Sequence, residues 1–374
     1  MQLARQRQFT NRMPWASSMS IMRGFCVAVA CTILLSAAAA WACEPVAAEP
    51  DTNRHELWVI STRHLPSCGW QSTQPTDFDY QRFDSAEGWV AADSEAFSKE
   101  NANDVPTCFF IHGNQLTHCE AIAQGRSLYR VLSQAAGDQT FRLAIWSWPT
   151  TRIRGRIRHD VQVKAARSDI QAFYLAQCVD RMPVKARIAM VGHSFGARVI
   201  TGSLEILAGG SVACNALETT VKRPHRQIRA VLVAAAVDNG CLLPGRRNGL
   251  ALQEVDRMLI TQNCNDRVLR WYPRLYGCRG PEAMGYTGPA GLCLLGENQQ
   301  KIDVLGVSCS VGRGHGWYDY LCSCSLQSRL PWYAFLEPTP SAGESDSENK
   351  PTPAQSELSS QNESAGANAN PLAI

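Results

Sequence analysis

A serine stands between two glycines in residues 192–196, which read Gly-His-Ser-Phe-Gly. An apolar run over residues 187–191 precedes this segment, and an apolar segment of helix length, residues 195–208, follows it. Glycines two positions before and two positions after a serine leave room for a tight strand-to-helix turn that raises the hydroxyl above a sheet. The N–H groups that open the helix would then face a developing oxyanion. The pattern predicts Ser194 as a nucleophile and the amide of Phe195 as an oxyanion donor.

A general base has to follow this serine on a loop that reaches back over the sheet, and two histidines follow it. His225 lies in a basic segment that enters a predicted strand, which is the wrong end of a parallel sheet. His315 follows the last predicted strand and is flanked by Gly314 and Gly316, which allow a loop to fold back over the strand ends. We therefore predict His315 as the base.

The base needs an acid that orients its ring and offsets its charge when it takes the serine proton. Two aspartates follow predicted strands in the interval between the serine and His315. Asp266 follows the strand that is second from the serine strand, the commonest place for this acid, whereas Asp238 ends the strand between them. The chain order Ser194, Asp266, His315 is the one expected for such a triad. Asp266 is the predicted acid, and Asp238 stays open as the alternative.

A second oxyanion donor is expected from the turn after an early buried strand, residues 107–111. This strand is followed by His112, Gly113, Asn114 and Gln115. We predict that the backbone N–H of Asn114 or of Gln115 joins that of Phe195 in an oxyanion hole. The His112 side chain is predicted to have a structural role.

The chain around these residues alternates short runs rich in Val, Ile and Phe with segments of helix length. Strands are predicted over residues 56–62, 88–92, 107–111, 141–148, 187–191, 228–237, 258–263 and 302–307, and helices over residues 117–135, 159–182, 195–208 and 250–257. This alternation predicts an α/β fold with a doubly wound, mostly parallel sheet and helices on both faces. Ligands of such sheets bind beyond the carboxyl ends of the strands, where the candidate residues are predicted to lie.

Several short stretches occur in an order that resembles the α/β-hydrolase superfamily, and most closely an uncharacterised bacterial branch of it, a domain of unknown function. These stretches are residues 109–113, 146–149, 192–198, 233–238, 265–269 and 314–318. The resemblance spans most of the predicted domain and implies a serine hydrolase in which Asp266 is the acid. The chain departs from the family in its cysteine content and in the Gly/Pro-rich residues 273–296, so relatives are no guide to its substrate.

The two ends of the chain differ in composition from the predicted domain, residues 43–336. Residues 1–23 are basic, an uncharged apolar run over residues 24–42 follows, and Ala40-Trp41-Ala42 offers small residues at a signal-peptidase site. We predict an export signal over residues 1–42, with an uncleaved membrane anchor as the alternative. Residues 337–374 are dominated by Ser, Pro, Asn, Gly and Glu, which predicts a disordered low-complexity tail.

The chain carries 15 cysteines and no pair with CxxC spacing. Such a load favours disulfides over a zinc site and supports an exported location, in the periplasm, at the cell envelope or outside the cell. Cys43 would be the first residue after the predicted cleavage site, where a lipoprotein carries its acylated cysteine. The bulky Trp41 makes a poor lipoprotein signal, so lipidation of Cys43 is the less favoured hypothesis.

The formal net charge of +3 gives no general attraction to nucleic acid. Two basic runs, residues 152–158 and 222–229, are predicted to be solvated loops. The candidate residues predict hydrolysis of an ester-like bond through an acyl-enzyme, with a small-molecule or lipid ester as partner and with no metal or organic cofactor. Two alternatives stay open: a non-catalytic cell-envelope binding or scaffold protein on the same fold, and acyl transfer to an acceptor other than water.

Overall fold

A computed structural model describes residues 54–67, 69, 76–99, 105–218, 225–277 and 280–336. The predicted export segment, Cys43 and the predicted tail after residue 336 lie outside these described residues. Within the described ranges, none of the helices is both long enough and apolar enough to cross a membrane.

The strands of the described chain form one sheet in the order β3-β2-β1-β5-β4-β6-β7-β8-β9. They are β1 (Glu56–Ser61), β2 (Asp79–Asp84), β3 (Gly88–Ala92), β4 (Thr107–Ile111), β5 (Arg142–Ser147), β6 (Arg187–His193), β7 (Gln227–Val233), β8 (Arg257–Gln262) and β9 (Ile302–Gly306). β2 pairs antiparallel with β1 and β3, and every pairing from β1 across to β9 is parallel. The predicted α/β class with a mostly parallel sheet is confirmed.

Helices cover both faces of the sheet. They are α1 (Ser94–Lys99), α2 (His118–Ala135), α3 (Ile157–Asp180), α4 (Phe195–Leu207), α5 (Ala251–Glu254), α6 (Met284–Thr287), α7 (Ser308–Val311), α8 (Trp317–Leu321), α9 (Cys324–Gln327) and α10 (Leu330–Tyr333), with 3₁₀ helices at Leu269–Leu275 and Leu292–Lys301. α2 packs closely on Ile145 of β5. The approach is so close at Gly125 that a Cβ placed there would lie 2.4 Å from the Ile145 side chain. α3 contacts the next residue of β5, since Gln171 Oε1 accepts a hydrogen bond from Trp146 Nε1 (3.0 Å). Successive strand residues point to opposite faces, so α2 and α3 cover opposite sides.

Local sequence explains where the principal elements begin and end. α2 begins with a capping box, in which the Thr117 hydroxyl accepts from the Glu120 amide (3.3 Å) and the Glu120 carboxylate accepts from the Thr117 amide (2.7 Å). β4 and β5 are buried along their whole length, as expected for parallel strands covered on both faces. Their uninterrupted apolar runs therefore mark the centre of the core.

The structure differs from the sequence-based elements in two strands. β2 was not predicted, because its polar sequence (DYQRFD) buries only Tyr80 and pairs near the edge of the sheet. The strand predicted over residues 228–237 ends at Val233 instead, since Ala234 takes a positive φ of 48° and its amide donates to the Thr261 hydroxyl. Both differences arise from pairing and side-chain contacts that alternation alone does not encode.

The second basic run also differs from its prediction as a solvated loop. Arg226 is buried, with its guanidinium donating to the Asp180 carbonyl (2.9 Å). Arg229 stacks on the rings of Trp332 and Phe335. Arginine is tolerated in such places because its planar head can stack on rings and donate to carbonyls.

The predicted disulfides do not form between cysteines that the structure describes. Cys108 in β4, Cys178 in α3 and Cys241 in the segment between β7 and α5 are all buried and pack as small apolar side chains. Burial raises the pKa of both the Cys178 and the Cys241 thiol to about 12, which favours the neutral, unreactive form. In the described part of the chain, the expectation of a disulfide framework is therefore corrected.

Candidate active site

Ser194 occupies the turn between β6 and α4. Its backbone has φ 53° and ψ −113°, a conformation that a residue other than glycine adopts only under constraint. The Ser194 amide donates to the Val233 carbonyl (2.9 Å), and the Ser194 carbonyl accepts from the amides of Ala197 (3.1 Å) and Ala236 (3.2 Å). These bonds hold the strained turn between the end of β7 and the first turn of α4.

The two glycines of this turn are required by close packing. A Cβ placed on Gly192 would lie 2.6 Å from Ile200 Cδ1, and one placed on Gly196 would lie 2.0 Å from the carbonyl oxygen of Ile111. Contacts this short exclude any side chain at either position unless the backbone moves. The glycine spacing seen in the sequence thus has a steric reason in the structure.

Three predicted residues meet beyond the carboxyl ends of β6 and β8. Ser194 Oγ lies 3.1 Å from His315 Nε2, and His315 Nδ1 lies 2.8 Å from Asp266 Oδ2. An ionised carboxylate only accepts, so Nδ1 carries the proton and Nε2 is left to accept from the serine hydroxyl. The arrangement is that of a nucleophile, a base and an orienting acid.

Asp266 is fully buried and accepts four hydrogen bonds. Its Oδ2 accepts from His315 Nδ1 and from the Tyr320 hydroxyl (2.8 Å each), and its Oδ1 accepts from the amides of Val268 and Leu269 (2.9 Å each). Burial acts to raise the pKa of Asp266, but His315 and these hydrogen bonds outweigh burial and hold the pKa below its usual range. The acid is therefore ionised when His315 is in place.

Hydrogen bonds join the loop that carries the acid to the loop that carries the base. We call residues 263–268 the acid loop and residues 312–316 the base loop. Asn263 Nδ2 donates to the Gly312 carbonyl (3.0 Å) and to the Tyr320 hydroxyl (3.2 Å). Because Tyr320 in turn donates to the acid, one side-chain network orders both loops.

The helix after the base loop anchors it to the core. Trp317 in α8 is fully buried, donates from Nε1 to the Ser127 hydroxyl (2.8 Å) and packs on the ring of Phe110. The Asp319 carboxylate accepts from the Gly316 amide (2.9 Å), next to His315 in the chain. The position of the base is thus set by α2, β4 and α8 together.

The segment after β4 lies directly beside the nucleophile. A Cβ placed on Gly113 would lie 3.2 Å from Ser194 Cβ. Within the part of the chain that the structure describes, the amides of Asn114, Gln115 and Phe195 have no hydrogen-bond acceptor. The predicted donors are therefore near the serine and unused, as an oxyanion hole requires.

A buried ion pair holds the side chains of this segment. Asp160 Oδ2 accepts from Asn114 Nδ2 (3.4 Å) and Gln115 Nε2 (3.2 Å), while Oδ1 accepts from Lys164 Nζ (3.0 Å) and the Ile153 amide (2.8 Å). Burial acts to raise the pKa of Asp160, but the hydrogen bonds and the lysine charge hold the pKa below its usual range. We call residues 113–115 the predicted oxyanion segment; Asp160, in α3, holds its two polar side chains.

His112 has the structural role predicted for it. Its Nδ1 donates to the Gly113 carbonyl (2.9 Å), its Nε2 accepts from the Trp148 amide (3.2 Å), and its ring stacks on that of Trp148. Burial lowers the pKa of His112 to about 3, so the ring is neutral at ordinary pH. Both nitrogens are occupied, and His112 links the ends of β4 and β5.

His193 belongs to the site, although the sequence analysis assigned it no role. Its Nε2 donates to the backbone carbonyl of His315 (2.8 Å), and the two rings lie 5.4 Å apart. Its buried Nδ1 has no hydrogen-bond partner among the described residues, and burial lowers the pKa of His193 to about 3. The place of this residue next to the serine was a signal that could have drawn attention to it.

Tyr320 is the second site residue that sequence reasoning missed. It lies five positions after His315 and reaches Asp266 only because α8 folds back over the acid loop. Burial raises the pKa of Tyr320, so its hydroxyl keeps the proton that it donates to the acid. No motif in the sequence marks this contact.

The alternative candidates lie elsewhere. The Asp238 carboxylate accepts a hydrogen bond from the Gly240 amide (2.8 Å), and the Asp238 backbone pairs with Ala283. The ring of His315 is hydrogen-bonded to Asp266. His225 pairs with Asp256 at the amino end of β7, the end of the sheet opposite to Ser194. Of the two candidate acids, Asp266 is the one that is hydrogen-bonded to His315.

No group of three or more His, Cys, Asp or Glu side chains suited to a metal ion occurs among the described residues. The site consists of a hydroxyl, an imidazole, a carboxylate and three unused amides. Such a set can activate a nucleophile and stabilise an oxyanion with the chain's own groups.

Comparison with known proteins gives remote structural similarities. No protein-family model and no curated protein matches the chain. The solved structure of an acetyl xylan esterase is similar at 12% identity over 62% of this chain and 97% of that chain, with a TM-score of 0.33. A CIB-like hydrolase from Thermoplasma acidophilum is similar at 12% identity over 70% of this chain and 92% of that chain, with a TM-score of 0.29. TM-scores this low support no inference about function. The order of the described strands fits an α/β-hydrolase fold.

Proposed function

We propose that the protein is a serine hydrolase that cleaves carboxylic esters through an acyl-enzyme. The single observation that supports this proposal most strongly is the chain of hydrogen bonds from Ser194 through His315 to Asp266. Ser194 lies 121 residues before His315 in the chain, and Asp266 lies 49 residues before it. The three side chains nevertheless meet, beside amides that have no acceptor among the described residues. A small-molecule or lipid ester is the proposed substrate, and export of the chain remains a prediction from its first 42 residues.

In the proposed first half-reaction, Ser194 Oγ attacks the ester carbonyl carbon while its proton moves to His315 Nε2. The buried Asp266 carboxylate stabilises the imidazolium and keeps Nδ1 protonated. The tetrahedral intermediate then loses its alkoxide, which takes the proton from Nε2 and leaves as an alcohol. In the second half-reaction, water attacks the acyl-enzyme by the same proton transfers, releases the acid and restores Ser194.

The negative charge of each tetrahedral intermediate falls on the former carbonyl oxygen. We assign its stabilisation to the amide of Phe195, at the start of α4, together with an amide of Asn114 or Gln115. Preorganised donors of this kind lower the barrier by roughly 3 kcal/mol each in related chemistry. Asp160 supports them indirectly, because it holds the side chains of the two residues after Gly113.

The decisive test is a panel of chromogenic esters of increasing acyl length, assayed with wild type and Ser194→Ala. Hydrolysis should depend on Ser194 and fall by about 10⁴-fold or more in the variant. Ser328→Ala, which changes an exposed serine whose hydroxyl donates to the Ser325 carbonyl and not to a triad residue, is the matched control and should retain wild-type rates. Full activity in Ser194→Ala would remove the assignment.

Labelling with a fluorophosphonate separates the remaining alternatives. A Ser194-dependent label with hydrolysis of the esters supports the proposal. A Ser194-dependent label with products that form only when an alcohol acceptor is added would indicate acyl transfer instead. A folded protein without any such label would indicate a binding or scaffold protein on the same fold.

A further inference from the structure

A cavity of about 320 Å³ opens between the acid loop and the base loop. It is lined by Cys264, Asn265, Arg267, Arg270, Tyr286 and Arg313. Three of these six residues carry a guanidinium group and none carries a carboxylate. We call this space the arginine cavity.

The arginines belong to the same backbone segments as the triad. Arg267 follows Asp266 directly in the chain, and Arg313 lies two residues before His315. The Arg267 amide approaches the Arg313 carbonyl at 3.5 Å. The Arg270 amide donates to the Asp266 carbonyl (3.1 Å). The backbone of the cavity is therefore held in a constant relation to the acid and the base, at the sheet edge where substrates of such folds bind.

No acid that the structure describes forms an ion pair with Arg267, Arg270 or Arg313. Asp266 is close in sequence, but its carboxylate is buried and already accepts four hydrogen bonds. Three like charges around one cavity repel each other, and an anion that enters the cavity relieves that repulsion. Guanidinium groups are also the side chains best shaped for paired hydrogen bonds to carboxylates and phosphates.

Neighbouring surface adds to the positive potential. The 3₁₀ helix that carries Arg270 also exposes Arg274, and its Leu275 carbonyl accepts from Gln162 Nε2 (3.3 Å) in α3. The loop before α3 adds exposed arginines at positions 152, 154 and 156, and Arg158 in the first turn of α3 donates to the Leu275 carbonyl (3.5 Å). Such a local excess, in a chain whose net charge is only +3, attracts anions to this end of the sheet.

We propose that the arginine cavity is a subsite for an oxyanion group, a carboxylate or a phosphate, that the ester substrate itself carries. This inference rests on the proposed hydrolase function and specifies its substrate class. The volume is at the lower end of the roughly 300–1,000 Å³ that small-molecule sites occupy, so it suits one charged group with a short linker.

The test compares two chromogenic esters of equal length, one ending in a carboxylate and the other in the corresponding neutral amide. The readout is the ratio of kcat/KM for the anionic ester to that for the neutral ester. Wild type should prefer the anionic ester. Each of the variants Arg267→Gln, Arg270→Gln and Arg313→Gln should reduce this ratio measurably, by up to about tenfold. A ratio of two substrates on one variant cancels any general disturbance of the triad.

Arg54→Gln is the matched control, because it removes the same charge from an exposed arginine just before β1, at the amino end of the parallel strands, and should leave the ratio near its wild-type value. A wild-type ratio near one, or a preference that survives in all three cavity variants, would overturn the proposal. Inorganic phosphate that stimulates hydrolysis of the neutral ester, and does so only with the three arginines present, would instead identify a site for a free anion. Absence of Ser194-dependent hydrolysis of either ester would contradict the hydrolase function itself, a separate result.

Discussion

At the scale of single residues, the site depends on polar atoms that leave water and find partners within the fold. The Asp266 carboxylate has four donors and His315 has one partner on each ring nitrogen. A buried charge is stable only when it is compensated in this way. By the same reasoning we propose a positioning role for His193, whose buried ring donates a hydrogen bond to the backbone carbonyl of His315.

Replacing Asp266 with Asn should abolish most activity while keeping the shape of the side chain. The amide of the new Asn would present a donor to His315 and favour the tautomer that cannot accept the serine proton, so kcat should fall by about 10³-fold to 10⁴-fold. Steady-state kinetics on a chromogenic ester measures this loss. Asp238→Asn is the control and should remain close to wild type; the reverse pattern would show that Asp238 is the acid.

His193 should affect turnover more than substrate affinity. His193→Phe keeps a ring but removes the Nε2 donor from the His315 carbonyl, so kcat should fall by about tenfold with KM almost unchanged. His193→Gln offers a donor again and should recover part of the loss. Equal kcat values for the Phe and Gln variants, at equal thermal stability, would exclude a positioning role through this hydrogen bond.

At the scale of elements, each functional group is placed by a strand end and by a second element that contacts it. The oxyanion segment follows β4, but its two polar side chains are held by Asp160 from α3. The base follows β9, but Trp317 anchors it against α2 and β4. A substitution in the contacting element, such as α3, should therefore lower kcat even though every triad residue is unchanged.

The Asp160–Lys164 pair gives the sharpest test at this scale. Asp160→Ala leaves Lys164 buried without its partner, so the free energy of unfolding should fall by about 3–5 kcal/mol, with a loss of kcat. The double variant Asp160→Ala, Lys164→Met removes the stranded charge and should regain much of the stability but not the activity. Urea denaturation and ester kinetics measure the two effects. Full recovery of kcat in the double variant would refute the link to the oxyanion segment.

At the scale of the whole molecule, stability should depend on pH through histidines that the core keeps neutral. Burial lowers the pKa of both His112 and His193 to about 3, whereas the unfolded chain titrates near the ordinary value of about 6.5. Between these values the unfolded chain binds protons that the folded protein excludes. The free energy of unfolding should therefore decrease as the pH falls from about 6.5 towards 3.

Each of the two histidines should contribute a slope of up to about 1.4 kcal/mol per pH unit within that window. Denaturation at a series of pH values measures the slope, and His193→Phe should make it shallower. Above about pH 7 these two groups should contribute no slope. A stability that rises as the pH falls through the window would contradict the neutral buried state.

Local spacing determined a large part of this protein. The Gly-x-Ser-x-Gly turn, the buried strands β4 and β5, and the helix that begins after Thr117 all depend on neighbours within a few residues. Their sterics and capping bonds are the same wherever the segment occurs in a chain. The position of His315 between glycines and of Asp266 after the second strand from the serine also followed from the sequence.

Tertiary structure decided what depends on distant partners. The choice between Asp238 and Asp266, the contacts of His193 and Tyr320, the pair that holds the oxyanion segment, and the arginine cavity all join residues far apart in the chain. The polar strand β2, which pairs with β1 and β3, and the unpaired state of the buried cysteines belong to the same class. Periodicity reports which face of an element is apolar, but burial and hydrogen bonding depend on which other element covers that face, and only the folded chain determines this.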